Sequence, residues 1–382
     1  MKSQNNALSK KKIFFITGSR ADYGKIKSIA KMSEKKFQNF IFVTGMHMIP
    51  KYGNTHSIIG KDFPNSTIIK KTNQSGGETQ DIILSNTIVI LSKMLKKINP
   101  DLVIIHGDRI ESLACAISSS VNNYLTAHIE GGELSGTVDE HLRHSISKLS
   151  HVHFVSNSDA RKKLLRMGEI KKSVHVVGTP DYDLMQEKYL PSLKEIKKRY
   201  NIKFLDFAVS IYHPVTTDLA FLKKNIITYL NALVKSKLNY IVIYPNNDPG
   251  SDIIVEAINK ILGQNKKFRI LNSMRFEHFL KTLKSSKFII GNSSAGIKEA
   301  PFFGIPAINV GNRQKNRAKL CNLFDVNHSE NQIVKVIESV KSKKYKTNFF
   351  FGKGNSFKKI YNILLKKNFW KTPIQKIFYS GD

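Results

Sequence analysis

Residues 101 to 143 read DLVIIHGDRIESLACAISSSVNNYLTAHIEGGELSGTVDEHLR, and the fold class follows from this stretch. Leu102 to Ile105 is a short apolar run between Pro100 and Gly107, the pattern of a buried strand. Glu111 to Val121 carries apolar residues at helical spacing, and Tyr124 to Ile129 reads as a second strand that stops at Glu130. Strand, helix and strand in so few residues form a βαβ crossover, which makes the two strands parallel. Asp108 and Glu130 then leave the same carboxyl edge of one sheet, the edge where open α/β sheets bind ligands. Asp139 lies four residues before Arg143 in a segment of helical character, so the two share a face. Three acids and an arginine on one rim point to proton transfer. Periodicity alone leaves open the alternative that Asp108 and Glu130 cap helices.

Upstream, Ile13 to Ile16 is a strand followed by Thr17-Gly18-Ser19-Arg20 and a helix containing Lys25. Gly-Ser at a helix N-terminus offers free backbone N–H groups to an anion, and Arg20 and Lys25 add charge suited to a diphosphate. Neither a GxGxxG nor a Walker lysine pattern occurs, so the standard dinucleotide and P-loop readings fail. Phe40 to Val43 is the next strand, with His47 past its end in a structural or a functional role. After a long helix over Asp81 to Lys97 and the central unit come a strand at Val152 to Val155, a helix from Ser158 to Met167 and a strand at Val174 to Val177. Gly178-Thr179-Pro180 breaks the pattern and marks a domain boundary.

The second half repeats the architecture without repeating the sequence. Strands are predicted at Phe207 to Ile211, Tyr240 to Tyr244, Arg269 to Leu271, Phe288 to Ile290 and Ala307 to Val310, with helices between them. His213 follows the first of these strands, and Pro214 blocks its continuation, so the histidine either faces a cleft or is a buried, hydrogen-bonded one. Gly291-Asn292-Ser293-Ser294-Ala295-Gly296 opens a helix containing Glu299, where small residues let a ligand approach the backbone. Gly311-Asn312-Arg313-Gln314 caps the last of these strands, and the tail from Asn355 has helical patterning. The fold class predicted is α/β, two Rossmann-like domains facing a central cleft in the GT-B manner. Residues 1–180 form the first domain and 181–361 the second, with a C-terminal helix at about 362–382 packing back on the first.

The 382 residues suffice for two hydrophobic cores. A formal net charge of +32 raises nucleic acid as a partner. The lysines are scattered along helices and loops, as at Lys31, Lys35, Lys96 and Lys97, and no aromatic-interleaved basic block appears. Solvated faces are the better reading, and no nucleic-acid or membrane partner is expected. Cys115 and Cys321 are the only cysteines, too few for a disulfide framework or a metal cluster, which fits a reducing cytoplasm. MKSQNNALSKKK leads into a strand rather than a signal peptide, and no apolar run reaches transmembrane length.

Taken in order, Thr17-Gly18-Ser19-Arg20-Ala21-Asp22-Tyr23-Gly24, His106-Gly107-Asp108-Arg109, His128-Ile129-Glu130-Gly131-Gly132-Glu133, Arg143-His144-Ser145-Ile146-Ser147-Lys148, His213-Pro214 and Gly291 to Gly296 form a specific set. From about Lys12 to about Phe369 the chain resembles the hydrolysing UDP-N-acetylglucosamine 2-epimerases of bacterial sialic-acid synthesis. The resemblance implies conversion of UDP-N-acetylglucosamine to UDP and N-acetylmannosamine, without metal or cofactor, by elimination to 2-acetamidoglucal and hydration. It also implies a homodimer. By position, Asp108, Glu130 and Asp139 match the family's catalytic acids, and Arg143 and His213 its sugar and phosphate contacts. Ser293, Ser294 and Glu299 match residues that hold diphosphate and ribose, and Phe276 lies in the uracil-reading segment. Arg20, Lys25, His47, Asn247, Gly296 and Arg313 complete the expected UDP and sugar contacts. Arg20, His213 and the helix N-terminus after Ser293 would supply positive charge to the departing diphosphate. Which acid is base and which is acid stays open. So does the choice between this substrate and the UDP-2,4-diacetamido-trideoxyhexose of legionaminic-acid synthesis. The non-hydrolysing branch fits less well, because its Gly-Thr-Arg-Pro-Glu opening is absent. A GT-B glycosyltransferase is the alternative of another class.

Overall fold

Seven short segments rich in Ile, Val and Phe build the first sheet: β1 (Lys12–Thr17), β2 (Gln38–Val43), β3 (Thr67–Lys70), β4 (Leu102–His106), β5 (Thr126–Ile129), β6 (Val152–Val155) and β7 (Val174–Val176). The structure, a computed structural model, describes residues 11–50, 55–75, 77–135, 138–215, 218–246, 248–314 and 317–379. The strands are all parallel, in the order β3-β2-β1-β4-β5-β6-β7. Alternate side chains of β1 explain the two covered faces: Ile13 and Phe15 belong to one core, Phe14 and Ile16 to the other. The helices of this region are α1 (Arg20–Ser33), α2 (His56–Asp62), α3 (Gln80–Ile98), α4 (Ile110–Val121), α5 (Asp139–Leu149), α6 (Ser158–Arg166) and α7 (Asp181–Leu184). Helices α3 and α4 bury Leu91, Leu95 and Ala114 to Ala116 on one face, and α1 buries Ile26 and Ile29 on the other.

The second sheet holds β8 (Ala208–Ile211), β9 (Tyr240–Ile243), β10 (Phe268–Leu271), β11 (Ile289–Gly291), β12 (Ala307–Val310) and β13 (Leu323–Val326). It is parallel throughout, in the order β10-β9-β8-β11-β12-β13. Helices α8 (Leu193–Arg199), α9 (Leu222–Lys235), α10 (Ser251–Leu262), α11 (Phe276–Lys284), α12 (Glu299–Phe302) and α13 (Glu330–Val340) accompany it. The last helix, α14 (Ser356–Leu364), lies with the first sheet. Both β3 and β13 are four-residue edge strands, mostly half-buried or exposed, and neither is among the strands predicted from sequence, because runs as short as Thr67–Lys70 and Leu323–Val326 do not show a period. Among the described residues no helix is long and apolar enough to cross a membrane.

Contacts divide the chain into two units, one of Met1–Glu133, Val138–Asp183 and Phe351–Asp382, the other of Leu134–Thr137 and Leu184–Phe350. The chain thus rejoins the first unit at Phe351, ahead of the segment at 362 expected to return there. Asp183 gives the physical reason. Its carboxylate accepts from the backbone N–H groups of Ser356 and Phe357, each at 2.8 Å, and from the Ser356 hydroxyl at 2.8 Å, which caps α14 from across the chain. The Thr179 N–H also donates to the Phe351 carbonyl at 2.7 Å. Gly178 and Gly352, both at positive φ, let the two backbones cross: a Cβ on Gly352 would sit 2.8 Å from the Gly178 Cα. Ile360, Leu364 and Phe369 then complete the core beneath α1.

Burial pushes the Asp183 carboxyl up to about 6, against its hydrogen bonds. A carboxyl with a raised folded pKa contributes stability that is fully present below its unfolded value and is lost as pH rises through about 6. We expect this group to make unfolding easier by on the order of 3 kcal/mol between pH about 4 and about 6. Urea unfolding across that window checks it: Asp183→Asn should flatten the slope relative to wild type, and parallel slopes would refute the assignment.

Candidate active site

In the first sheet the strand order reverses between β1 and β4, so the rim to inspect is the carboxyl edge there. Strand β4 ends at His106, and Asp108 follows in the next turn. Its carboxylate is ion-paired with the Arg143 guanidinium. Arg143 is buried, with Nη1 donating to the Glu133 carbonyl at 3.0 Å, so two contacts on one side chain fix its place. Helix α5 begins at Asp139, one turn ahead of Arg143 on the same face. The neighbouring strand β5 delivers Glu130, 4 % exposed and at φ +67°, where a non-glycine residue costs about 1–3 kcal/mol and persists only if its surroundings hold it.

Those surroundings are polar on every side. The Thr179 hydroxyl donates to one Glu130 oxygen. The Lys25 ammonium and His106 Nε2 approach the other, each at 3.2 Å. Lys25 has a second, closer partner in the buried carboxylate of Asp181, at 2.7 Å. Beneath the rim, His128 Nε2 donates to the Gly107 carbonyl at 2.8 Å, and Nδ1 faces the Ser147 hydroxyl at 2.9 Å. Burial pushes its ring down to about 3, so it is neutral and ties the turn carrying Asp108 to α5.

The loop after β1 is held by its own helix. Asp22 accepts from the N–H groups of Gly18 and Ser19, each at 2.9 Å, and from the Thr17 hydroxyl at 2.9 Å. The donors expected to seat a diphosphate are therefore taken by an acid of the same helix, a capping box closed on itself. Lys25, also assigned to the diphosphate, turns instead to Glu130 and Asp181 because two buried carboxylates need a cation. The Arg20 side chain lies outside the described residues. His47 is buried between the Thr17 and Thr55 hydroxyls, at 2.9 and 2.6 Å, so its ring braces the loop. A cavity of about 540 Å³ lined by His151, Glu169, His175, Lys366 and Lys376 lies where β6 and β7 begin, at the opposite edge, and none of the rim acids lines it.

The second sheet reverses between β8 and β11, and there the sequence candidates meet. The Asn292 amide spans the two strand ends: Oδ1 accepts from the His213 N–H at 2.6 Å, and Nδ2 donates to the His213 carbonyl at 2.8 Å. The Asn246 N–H donates to His213 Nδ1 at 3.2 Å, so the ring proton is on Nε2. Burial, with Arg313 nearby, drives this histidine well below its ordinary pKa. It is neutral, and can offer a leaving group a hydrogen bond but not the positive charge expected of it. Arg313 Nη1 and Gln314 Nε2 both donate to the Asn292 carbonyl at 3.2 Å. The Ser293 side chain caps the turn Ser294–Gly296, and Glu299 opens α12 just beyond. Phe276 stands apart at the start of α11, after β10 two strands away. Asn247 lies outside the described residues.

Periodicity missed Thr179 and Asp181, although the pattern break at Gly178-Thr179-Pro180 follows β7 and so lies at the same carboxyl edge. Their partners, Lys25 and Glu130, are too distant in sequence for any motif to link them.

The profile of the family described as UDP-N-acetylglucosamine 2-epimerase matches residues 30–365. A UDP-N-acetylglucosamine 2-epimerase of Neisseria meningitidis serogroup B is 41 % identical over 374 residues, 96 % of this chain and 98 % of that one. The hydrolyzing UDP-N,N'-diacetylbacillosamine 2-epimerase of Legionella pneumophila is 32 % identical, covering 93 % and 95 %. Polysialic acid biosynthesis protein P7 of Escherichia coli is 34 % identical, covering 88 % and 87 %. In fold, the chain matches a crystal structure of UDP-GlcNAc 2-epimerase from N. meningitidis bound to UDP-GlcNAc, with TM-score 0.79, 19 % identity and 93 % and 99 % coverage. The two agree in fold. With the rim residues Asp108, Glu130, Arg143, His213 and Asn292 all inside the matched span, the chain belongs to the UDP-N-acetylglucosamine 2-epimerase family.

Proposed function

We propose that the protein converts UDP-N-acetylglucosamine to N-acetylmannosamine and UDP, at the start of sialic-acid synthesis. Inverting C2 requires a base to take its proton and an acid to return one from the other face. The observation that carries this reading is the placing of Asp108 and Glu130 on adjacent parallel strand ends, the first ion-paired with Arg143 and the second ringed by Lys25, His106 and Thr179. In this reading Asp108 and Glu130 move protons at C2, and Asp139 supports elimination or positions Arg143. The turn over 292–296 holds the diphosphate, which leaves with a hydrogen bond from His213 Nε2. Water then adds to the 2-acetamidoglucal and the free sugar departs; relatives named as hydrolysing enzymes support this outcome. A second reading keeps the chemistry and changes the sugar to a UDP-2,4-diacetamido-trideoxyhexose, favoured by the 32 % identity to the Legionella enzyme.

Incubation with UDP-N-acetylglucosamine in heavy water, beside its 4-acetamido-6-deoxy analogue, tests both readings. The expected result is UDP release with one deuterium at C2 of N-acetylmannosamine, faster from the first substrate. Faster turnover of the analogue would move the assignment to the second reading. UDP release dependent on an added acceptor, with no deuterium at C2, would identify a glycosyltransferase instead.

A further inference from the structure

We infer that Asp181 is a positioning residue for the acid rim: its buried carboxylate holds the Lys25 ammonium against Glu130 and sets how readily Glu130 exchanges a proton. The inference rests on the proposed proton-transfer role of Glu130. Asp181 is 0 % exposed, and its oxygens accept no hydrogen bond from another described group; the Lys25 ammonium at 2.7 Å is its partner. A buried carboxylate with a single partner is costly to the fold, several kcal/mol before pairing. Asn or Ser could occupy the start of so short a helix without that cost. The charge thus has a use that the backbone does not require.

The geometry shows the use. One ammonium is shared between two carboxylates, 2.7 Å from Asp181 and 3.2 Å from Glu130. His106 from β4 and the Thr179 hydroxyl also face Glu130, the buried His128 ring feels its charge, and Asp183 stands near enough to Asp181 to feel that one. Arg143 is committed to Asp108 and the Glu133 carbonyl. Lys25 is a permanent cation beside Glu130, and Asp181 takes the nearer share of its field. The same short segment, Thr179 to Asp181, delivers to Glu130 a hydroxyl directly and a charge through Lys25.

The test is a carbon-13 NMR titration of protein labelled at glutamate Cδ, the Glu130 signal being assigned by its absence in Glu130→Gln. In Asp181→Asn the whole ammonium charge falls to Glu130, and its midpoint is expected to drop by about one pH unit. In the double variant Lys25→Met, Asp181→Asn, which leaves no unpaired ion, the midpoint is expected to rise instead. The double variant carries the test if the single one does not fold. A midpoint unmoved in either folded variant, with only the melting temperature changed, would reduce Asp181 to a structural residue and overturn the inference. If Glu130→Gln keeps wild-type kcat/KM, the reading of Glu130 itself fails, whatever the titration shows.

Discussion

Asp108→Asn is expected to release UDP about 10²- to 10⁴-fold more slowly than wild type, the usual worth of a positioned proton-transfer group. That range corresponds to about 2.7–5.4 kcal/mol of barrier. The substitution keeps the shape of the side chain and removes its charge, so the loss is chemical in origin. It also takes from Arg143 its carboxylate partner, and the Arg143 side chain is 4 % exposed against 25 % for Asp108. Breaking a buried pair by removing one partner costs up to about 3–5 kcal/mol, less here because one partner reaches solvent. A melting curve must therefore accompany the kinetics. The decisive outcome is a variant folded at the assay temperature with its turnover collapsed and its KM little changed. A folded Asp108→Asn enzyme releasing UDP at close to the wild-type rate would remove Asp108 from the mechanism. Glu130→Gln should lose turnover alike, and it too needs a melting curve, because the amide has one oxygen where Thr179 on one side and Lys25 with His106 on the other each meet an acceptor.

The second large effect lies in the other sheet and is conformational. Gly291 ends β11 at φ +133°, with its strand paired to β8 on one side and β12 on the other. A Cβ there would stand 1.9 Å from the Ile211 carbonyl oxygen and 2.7 Å from its carbon, both backbone atoms of β8. Nothing flexible can yield. Strain at such a φ and overpacking each cost about 1–3 kcal/mol. Gly291→Ala should thus lower the melting temperature by roughly 4–24 °C for a unit of this size. Because Asn292 is the next residue and clamps both backbone groups of His213, UDP affinity measured by calorimetry should fall at least tenfold. Gly296→Ala is the control: its Cβ would meet only the Ala307 and Ile289 side chains, at 3.4 and 3.9 Å, and stability should change by less than about 1 kcal/mol. Equal behaviour of the two variants would refute the backbone argument.

Strand β4, helix α4 and strand β5 were legible because apolar runs bounded by Pro100, Gly107 and Glu130 leave one arrangement. Parallel pairing then placed Asp108 and Glu130 on one rim, and His213 and Gly291 to Gly296 were legible as strand ends, while the pairing of β8 with β11 that joins them came only from the structure. What stayed hidden was which donor meets which acceptor. Gly18 and Ser19 look like an anion seat until Asp22, three to four residues on, is seen to fill it. His213 looks like a cation until burial and the Asn246 N–H settle its ring as neutral. Asp181 gave no local signal, since its meaning depends on Lys25, far away in the chain. The left-handed turn at Glu130 is equally silent, because no glycine advertises it. Periodicity reports which way a strand faces, and partner choice belongs to tertiary contacts.

The return of the chain at Phe351 carries a consequence for biosynthesis. The 184–350 stretch is continuous, so a ribosome can deliver it whole while the opening 183 residues still lack Ile360, Leu364, Phe369 and the helix that Asp183 caps. The N-terminal half, although made first, must wait with part of its apolar surface uncovered until the last segment emerges, contrary to the usual order in which nascent domains mature.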